Sequence, residues 1–296
     1  MTLGDETPQQ VPADDREQDY ADEWGQIKPF RTHRTGYSTR IVPERKPAKR
    51  QFRGYSADVL SIIIPVFNEA NNLVPLCREL SEVLTHLHRA TEILFVDDAS
   101  TDETSTIIRE LQTSDPRIRG FRLEHNTDKG GALAVGVKEA RGDICIMMDG
   151  DLQNDPADIP LLLAALEQGA DLALGWRKKR ADNLMKRLSS WLFNACMSAV
   201  FQKRLRDANT GLKVLRRETA ISVPLTSGLF RFLPFVLAKR ELKIAEVPTH
   251  HRPRRNGSSK FRSGRRLLSL LKLSAALRAV HAPLQAPEGL PAYETL

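Results

Sequence analysis

Cysteine is scarce in this chain, and long hydrophobic runs are absent. The three cysteines, Cys77, Cys145 and Cys196, are widely spaced and form no Cys-x-x-Cys pair, which argues against a disulfide framework and against a zinc site. No apolar stretch reaches the roughly 18 to 20 uninterrupted residues that a membrane-spanning helix needs. The sequence begins with MTLGDETPQQ, which is acidic, whereas a secretory signal peptide begins with basic residues. We therefore expect a cytoplasmic protein.

Aromatic residues are also few, at 6% of the 296 residues, and glycine and proline are present in ordinary amounts, at 17 each. This composition excludes collagen-like, mucin-like and wholly disordered chains. Lysine and arginine outnumber aspartate and glutamate by 44 to 37, which gives a net charge of +7. A basic balance of this size is compatible with nucleic acid, with an anionic membrane surface and with a phosphate-bearing substrate.

The charge is unevenly distributed along the chain. Residues 1–27 contain eight acidic residues and one arginine, and residues 28–57 contain nine basic residues and one glutamate. Both stretches are poor in aliphatic residues and lack a clear periodicity, so residues 1–56 are predicted to form a largely disordered tail, acidic and then basic. Two roles stay open for this tail: a solvated linker and a tether to a membrane surface.

From Val59 onward, apolar runs rich in β-branched residues alternate with longer helical patterns. The runs VLSIIIPVF, EILFVDD, IRGFRLE, DICIMMD and ADLALGW have the composition of buried strands, and helical stretches lie between them. This alternation predicts an α/β fold with a mainly parallel sheet and helices on both faces. In such sheets, ligands bind beyond the carboxyl ends of the strands.

Acidic and amide side chains directly follow three of these predicted strands. They are Asn68 and Glu69, then Asp97 and Asp98, then Asp149, Asp151 and Gln153. Asp149 and Asp151 would repel each other across one glycine unless a cation lies between them, and oxygen ligands favour Mg²⁺ or Mn²⁺. A metal site is therefore expected at this edge of the sheet, whereas Asp102 and Asp155 are expected to cap helices.

A series of motifs occurs in one order along the chain: SIIIPVFNE, VDDASTDET, KGGALAVG, MMDGDLQNDP, ALGWR, DANTGLKVLRRE and EVPTHHRPRRNGSSKF. With these motifs, over residues 59–266, the chain resembles the inverting family 2 glycosyltransferases. Within that family it is most similar to the dolichol-phosphate mannose synthase branch and the bacterial polyprenyl-phosphate glycosyltransferases. The resemblance implies the GT-A fold, with a nucleotide-sugar-binding catalytic domain at residues 57–225 and an acceptor-side, membrane-interface extension at residues 226–296.

The resemblance also implies residue roles. It places a UDP- or GDP-linked sugar donor against Pro65, Phe67, Glu69, Asp98, Asp149, Arg254, Ser259 and Lys260. It assigns Mg²⁺ or Mn²⁺ to Asp149, Asp151 and Gln153, and a polyprenyl phosphate acceptor to Arg177, Arg187, Ser190, Asn194 and Thr210. Asp151, Asp207, Arg177 and Arg187 are the implied catalytic residues. Lys129 is added to the donor site because, with Gly130 and Gly131, it begins a predicted helix whose first amides suit an anion.

The identity of the acceptor decides whether a general base is needed. A departing nucleoside diphosphate gains negative charge, which a fixed metal ion and basic side chains stabilise. A lipid phosphate acceptor is already anionic, which suits a sequence with no evident catalytic histidine. A sugar hydroxyl acceptor would need a base, and Asp207 is then the candidate. Transfer to a polyprenyl phosphate and extension of a lipid-linked or soluble glycan therefore both stay open.

Two segments are interpreted as membrane-facing. RRLLSLLKLSAALRAV, at residues 265–280, has the leucines on one face that an interfacial amphipathic helix needs, and residues 184–201 are largely apolar. Helices packed on the core are the alternative for both. We therefore expect a peripheral enzyme on the cytoplasmic face of the membrane, with an anionic membrane surface as a partner. Nucleic-acid binding is a remote alternative, because the basic stretches lack interleaved aromatic residues.

Overall fold

The computed structural model describes residues 59–177, 184–226, 228–254, 273–281 and 290–296. The predicted tail at residues 1–56 therefore lies outside the described residues. So do Ser259, Lys260 and the first half of the predicted amphipathic helix at residues 265–280.

The described residues form a single sheet with helices packed against it. The strands are Val59–Val66 (β1), Ala90–Asp97 (β2), Ile118–Leu123 (β3), Ile144–Met147 (β4), Leu172–Arg177 (β5), Lys213–Arg216 (β6), Ile244–Thr249 (β7) and Tyr293–Thr295 (β8). The helices are Ala70–His86 (α1), Thr104–Ser114 (α2), Lys129–Glu139 (α3), Ile159–Glu167 (α4), Leu184–Phe201 (α5), Arg217–Ile221 (α6), Leu233–Lys239 (α7) and Leu273–His281 (α8).

The strand order across the sheet is β7-β5-β6-β4-β1-β2-β3-β8. Strand β1 lies at the centre and pairs in parallel with β2 and β4, and β3 continues the parallel half beyond β2. Strands β5 and β7 form a second parallel pair. Strand β6 runs antiparallel between β4 and β5, and β8 runs antiparallel along β3. The predicted mainly parallel α/β fold is confirmed.

Hydrophobic cores lie on both faces of the sheet. On one face, α1, α2 and α4 contribute residues such as Leu76, Ile108 and Leu162 to one core, which also includes buried residues of β1 and β2. On the other face, α3, α5 and α7 pack around Met197 and Phe235. Burial on both faces explains why the central strands are apolar at nearly every position instead of alternating with polar residues.

Two elements differ in detail from the sequence-based expectation. The apolar segment LFRFLPFVLAKR, at residues 229–240, predicts one continuous helix. The structure divides it into a short 3₁₀ turn, Leu229–Arg231, and helix α7. Pro234 lies in the first turn of α7, where its missing amide hydrogen leaves no helical bond unmade. No sequence pattern predicted β8. Among the helices of the described part of the chain, none is long and apolar enough to cross a membrane.

Candidate active site

The loops that follow β1, β2 and β4 form a rim at the carboxyl end of the sheet. Each contains a residue other than glycine in the left-handed backbone region: Asn68 at φ 52°, Ala99 at φ 58° and Leu152 at φ 60°. This conformation is unfavourable for residues with a Cβ atom, so surrounding contacts must hold it. The amide of Asn68 donates to Ser100 Oγ at 2.8 Å, and Leu152 is buried. The loops are therefore fixed in place by the fold.

A cavity of about 460 Å³ opens between these loops. Its lining includes eight residues that sequence reasoning assigned to the donor or metal site: Pro65, Phe67, Glu69, Asp98, Lys129, Asp149, Asp151 and Arg254. Val66, Asn126, Thr127, Asp128 and Gly150 complete it. The lining combines the apolar residues Pro65 and Phe67 with the cationic side chains of Lys129 and Arg254, which suits a ligand with an apolar part and an anionic part.

Asp98 is held by the loop that precedes α3. Its carboxylate accepts hydrogen bonds from the Thr127 amide at 2.8 Å and from Asn126 Nδ2 at 3.1 Å. Burial raises the pKa of Asp98 above its ordinary value, although the bonds from Thr127 act in the opposite direction. Asp98 thus fixes the loop immediately before Lys129, in addition to lining the cavity.

Asp128 caps α3. It accepts hydrogen bonds from the backbone amides at the start of this helix, which were expected from the sequence to face an anion. Its Oδ1 accepts from the amides of Gly130 at 2.7 Å and Gly131 at 3.1 Å. These two amides therefore serve the helix cap. Lys129 contributes through its side chain, which donates from Nζ to Asp149 Oδ1.

Asp149 lies between basic side chains. Burial by itself raises its pKa, but the positive charge of Lys129, with smaller contributions from Lys213 and Arg177, outweighs that effect and holds the pKa below its ordinary value. Its carboxylate also faces Gly211: a Cβ atom at that position would lie 2.5 Å from Asp149 Oδ2. Asp149 is therefore kept ionised and in close contact with the backbone of residue 211.

Asp151 is paired with Arg254, whose NH2 group contacts Asp151 Oδ2. The other carboxylate oxygen accepts from the amide of Gln153 at 3.2 Å. The side-chain nitrogen of Gln153 donates to the carbonyl of Arg252 at 3.3 Å. The turn at residues 149–153 is thus joined to the segment that follows β7.

The two carboxylates at this turn are candidate ligands for a divalent cation. Within the described part of the chain, no group of three or more His, Cys, Asp or Glu side chains is arranged to hold a metal ion. Mg²⁺ is commonly held by one or two carboxylates together with substrate phosphates. Asp149 and Asp151 line the same cavity and fit that pattern.

A second charged pair joins two of the predicted catalytic residues, Arg177 and Asp207. Arg177, at the end of β5, holds both oxygens of Asp207, with Nε at 2.6 Å and NH2 at 2.8 Å. Glu246 on β7 accepts from the backbone amides of Arg206 and Asp207 at 2.6 Å and 3.2 Å. Burial raises the pKa of Glu246. Glu246 therefore positions the loop that carries Asp207.

The other predicted acceptor residues are less directly placed. Thr210 is buried, and its Oγ1 accepts from the amide of Leu212 at 3.3 Å. Asn194 donates to the carbonyl of Arg206 at 3.0 Å. Arg187 and Ser190 belong to α5, but their side chains lie outside the described part of the structure.

Sequence reasoning missed Lys213. This residue is only 6% exposed, and its ammonium group donates to the carbonyl of Thr210. Burial lowers its pKa from 10.5 to about 7, with Lys129 acting in the same direction and Asp149 and Asp207 opposing it. The available signal was a lysine at the start of a short, largely apolar strand.

His250 has a structural contact with a buried carboxylate. Its Nδ1 lies 2.8 Å from Asp158 Oδ1, and its amide donates to Asp158 Oδ2 at 2.8 Å. Burial raises the pKa of Asp158 to about 6, although the bonds from His250 oppose this rise. The pair attaches the end of β7 to the start of α4.

Comparison with known proteins gives a family match over most of the folded region. The model of the family described as Glycosyl transferase family 2 matches residues 61–234. A protein of Rhizobium johnstonii, dodecaprenyl-phosphate galacturonate synthase, is 33% identical over 227 residues, which are 74% of this chain and 67% of that protein. Undecaprenyl-phosphate 4-deoxy-4-formamido-L-arabinose transferase of Salmonella choleraesuis is 30% identical over 213 residues, 72% of this chain and 65% of that protein. The chain thus spans about two thirds of the length of each relative.

Solved structures share the fold at lower sequence identity. Glucosyl-3-phosphoglycerate synthase from Mycobacterium tuberculosis in complex with UDP matches with a TM-score of 0.58 and 21% identity, over 76% of this chain and 81% of that chain. The same enzyme with Mn²⁺, UDP-glucose and phosphoglyceric acid also gives a TM-score of 0.58, at 20% identity over the same shares of the two chains. This likeness supports the GT-A fold.

Proposed function

This chain belongs to glycosyl transferase family 2, and from that premise we propose that it transfers a sugar from a UDP- or GDP-linked donor to a polyprenyl phosphate. The observation that carries the proposal is the cavity in which Asp149 and Asp151 are each paired with a cationic side chain, Lys129 and Arg254. A diphosphate entering this cavity attracts both cations, and the two carboxylates then become available to a divalent ion.

The donor is bound along the cavity from its base to its diphosphate. Pro65 and Phe67 provide the apolar wall for a base, and Glu69 and Asp98 provide hydrogen-bond acceptors beside it. A divalent cation held with the diphosphate would offset the negative charge that develops as the nucleotide leaves. Lys129 and Arg254 contribute to the same stabilisation from the protein, since fixed positive charge favours a leaving diphosphate. The Mn²⁺ and UDP-glucose complex of the mycobacterial structural relative supports this arrangement.

The geometry around Asp207 favours a phosphate acceptor over a hydroxyl acceptor. Asp207 is 2% exposed and both of its oxygens accept hydrogen bonds from Arg177. A carboxylate held in this way is poorly placed to take a proton from a sugar hydroxyl. A lipid phosphate brings its own anionic oxygen, and Arg177 offers positive charge beside it. The two polyprenyl-phosphate relatives, each at least 30% identical, support the same acceptor class.

An apolar face of α5 supports contact with a membrane. Trp191, Leu192 and Val200 are 65%, 47% and 40% exposed, and the exposed basic residues Lys203 and Arg204 follow directly. Large apolar side chains next to basic residues suit the boundary between lipid headgroups and acyl chains. We propose that this face brings the chain to the surface where a polyprenyl phosphate resides, so that the protein acts as a peripheral enzyme.

The proposal is tested by offering labelled UDP- and GDP-sugars to the protein with Mn²⁺ and a polyprenyl phosphate in detergent or membranes. We expect one donor to give a labelled product that partitions into organic solvent, and we expect the product to be absent with the Asp151→Asn variant. A parallel reaction offers a soluble glycan in place of the lipid, and transfer to that glycan without any lipid product would favour the hydroxyl acceptor instead. A lipid product formed equally by Asp151→Asn would contradict the assigned site.

A further inference from the structure

We propose that Arg252, held by Glu79 and Asp155, is a positioning residue that sets the place of Arg254 in the donor site. The inference deepens the proposed function and rests on it, because Arg254 is taken to contact a donor diphosphate. It adds to the site a residue on α1, Glu79, that lies outside the lining of the cavity.

Arg252 is fastened to the body of the protein through its side chain. Its NH1 group lies 2.6 Å from Glu79 Oε2 on α1, and its NH2 group lies 2.5 Å from Asp155 Oδ2. The three side chains are between 17% and 27% exposed, so solvent screens these ion pairs less than it screens pairs on the open surface. A guanidinium shared between two carboxylates has a defined orientation.

The backbone of Arg252 is fixed as well. Its amide donates to the carbonyl of Gln153 at 2.9 Å, and its carbonyl accepts from the side chain of Gln153 at 3.3 Å. Next to it, His251 forms an isolated β-bridge with Asn154. The segment at residues 251–252 is therefore attached to the turn that follows Asp151.

Only Pro253 separates this anchor from Arg254. The proline ring fixes its own φ angle near −65° and restricts the residue before it. A displacement of Arg252 therefore also displaces Arg254, because the backbone between them has little conformational freedom. Arg254 contacts Asp151 and lines the cavity. The ion pair between Arg252 and Glu79 on α1 therefore determines the position of the Arg254 guanidinium group in the cavity.

The test measures how the anchor affects nucleotide binding, with UDP and GDP as separate probes at saturating Mn²⁺. Glu79→Gln removes one charge of the anchor but keeps its shape, and Glu167→Gln makes the same change in the surface pair Arg89–Glu167, whose side chains are 28% and 61% exposed. We expect Glu79→Gln to raise the Kd of the bound nucleotide about fivefold, which corresponds to about 1 kcal/mol, and Glu167→Gln to leave it unchanged. In steady-state assays the KM for the donor should rise and kcat should fall, because Arg254 also stabilises the departing diphosphate.

A double-mutant cycle separates positioning from general loosening of the fold. If Glu79 acts through Arg254, Glu79→Gln should have no further effect on the nucleotide Kd in an Arg254→Ala background. Additive losses in the double variant, or an unchanged Kd in Glu79→Gln, would overturn the inference. If the unchanged protein binds neither nucleotide, the proposed function itself fails, and that result is distinct from either outcome of the cycle.

Discussion

The guanidinium group of Arg177 holds the carboxylate of Asp207 through two hydrogen bonds, of 2.6 Å and 2.8 Å, and the two side chains are only 11% and 3% exposed. Because a buried charge without a partner is strongly unfavourable, we expect Arg177→Ala to lower the free energy of unfolding by about 3 kcal/mol. The double variant Arg177→Ala, Asp207→Ala should recover part of that loss. Urea denaturation of the three proteins measures both quantities.

Arg89→Ala is the matched control for this prediction. It breaks the surface pair with Glu167, and an exposed pair contributes less than about 1 kcal/mol. Equal losses for Arg89→Ala and Arg177→Ala would show that the Arg177–Asp207 pair is not buried in solution.

The carboxylate of Asp149 occupies space that is free only because residue 211 is a glycine without a Cβ atom. A Cβ atom at position 211 would lie 2.5 Å from both Asp149 Oδ2 and Asn154 Nδ2, which is too close for any real contact. We therefore expect Gly211→Ala to displace Asp149 and weaken Mn²⁺-dependent nucleotide binding at least tenfold. Isothermal titration of the variant with UDP or GDP, with and without Mn²⁺, measures this effect.

Gly169→Ala is a useful comparison for Gly211→Ala. Gly169 has φ +95° and nothing within 4 Å of its added Cβ, so alanine there strains the backbone at a cost of about 1 kcal/mol without touching the cavity. It should lower the melting temperature and leave nucleotide binding intact. Loss of binding in both variants would mean that general destabilisation, not Asp149, explains the result.

Local sequence patterns located most elements and the rim of the site. The helix expected at residues 184–201 is found as Leu184–Phe201, and the side chains of Asp98, Asp149 and Asp151 line one cavity. These features were accessible because strand and helix periodicities are local, and because the carboxyl ends of parallel strands meet at one edge of a sheet.

The antiparallel direction of β6, and the position of the side chains on it, could not be predicted from the local sequence. Strand direction depends on pairing between distant segments, and β6 pairs with β4 and β5. Only that pairing brings Lys213 near Asp149 and Asp207. Glu246 is likewise important through backbone amides of a loop about 40 residues away in sequence, and no short motif encodes such a contact.

The buried ammonium group of Lys213 makes stability depend on pH. Its pKa is about 7 in the folded protein, against 10.5 for an ordinary lysine. Between these values the unfolded chain binds the extra proton, so raising the pH favours the folded state. We expect the unfolding free energy of the unchanged protein, relative to Lys213→Met, to increase by about 1 kcal/mol per pH unit from pH 7 to pH 9. Denaturation at pH 7, 8 and 9 measures the difference.

The comparison with Lys213→Met removes other titrations from this measurement. Burial also raises the pKa of Cys77 and of Cys145 to about 12, but both thiols are present in the two proteins and cancel. A difference in unfolding free energy that stays constant with pH would show that Lys213 keeps its ordinary pKa.

The exposed apolar face of α5 gives a prediction about membrane binding. Trp191 and Leu192 are 65% and 47% exposed, and burying side chains of this size stabilises an association by about 1.5 to 3 kcal/mol each. If this face enters the headgroup region, Trp191→Ser with Leu192→Ser should reduce binding to vesicles containing anionic lipid at least tenfold. Val74, 48% exposed on α1, provides a control, since Val74→Ser removes an exposed but smaller apolar side chain elsewhere on the surface. Co-sedimentation with vesicles compares the variants, and equal binding by all of them would place the membrane contact away from α5.

Added salt should weaken the remaining binding if the basic residues Lys203 and Arg204 contact the anionic lipid, because exposed charges are screened at high ionic strength.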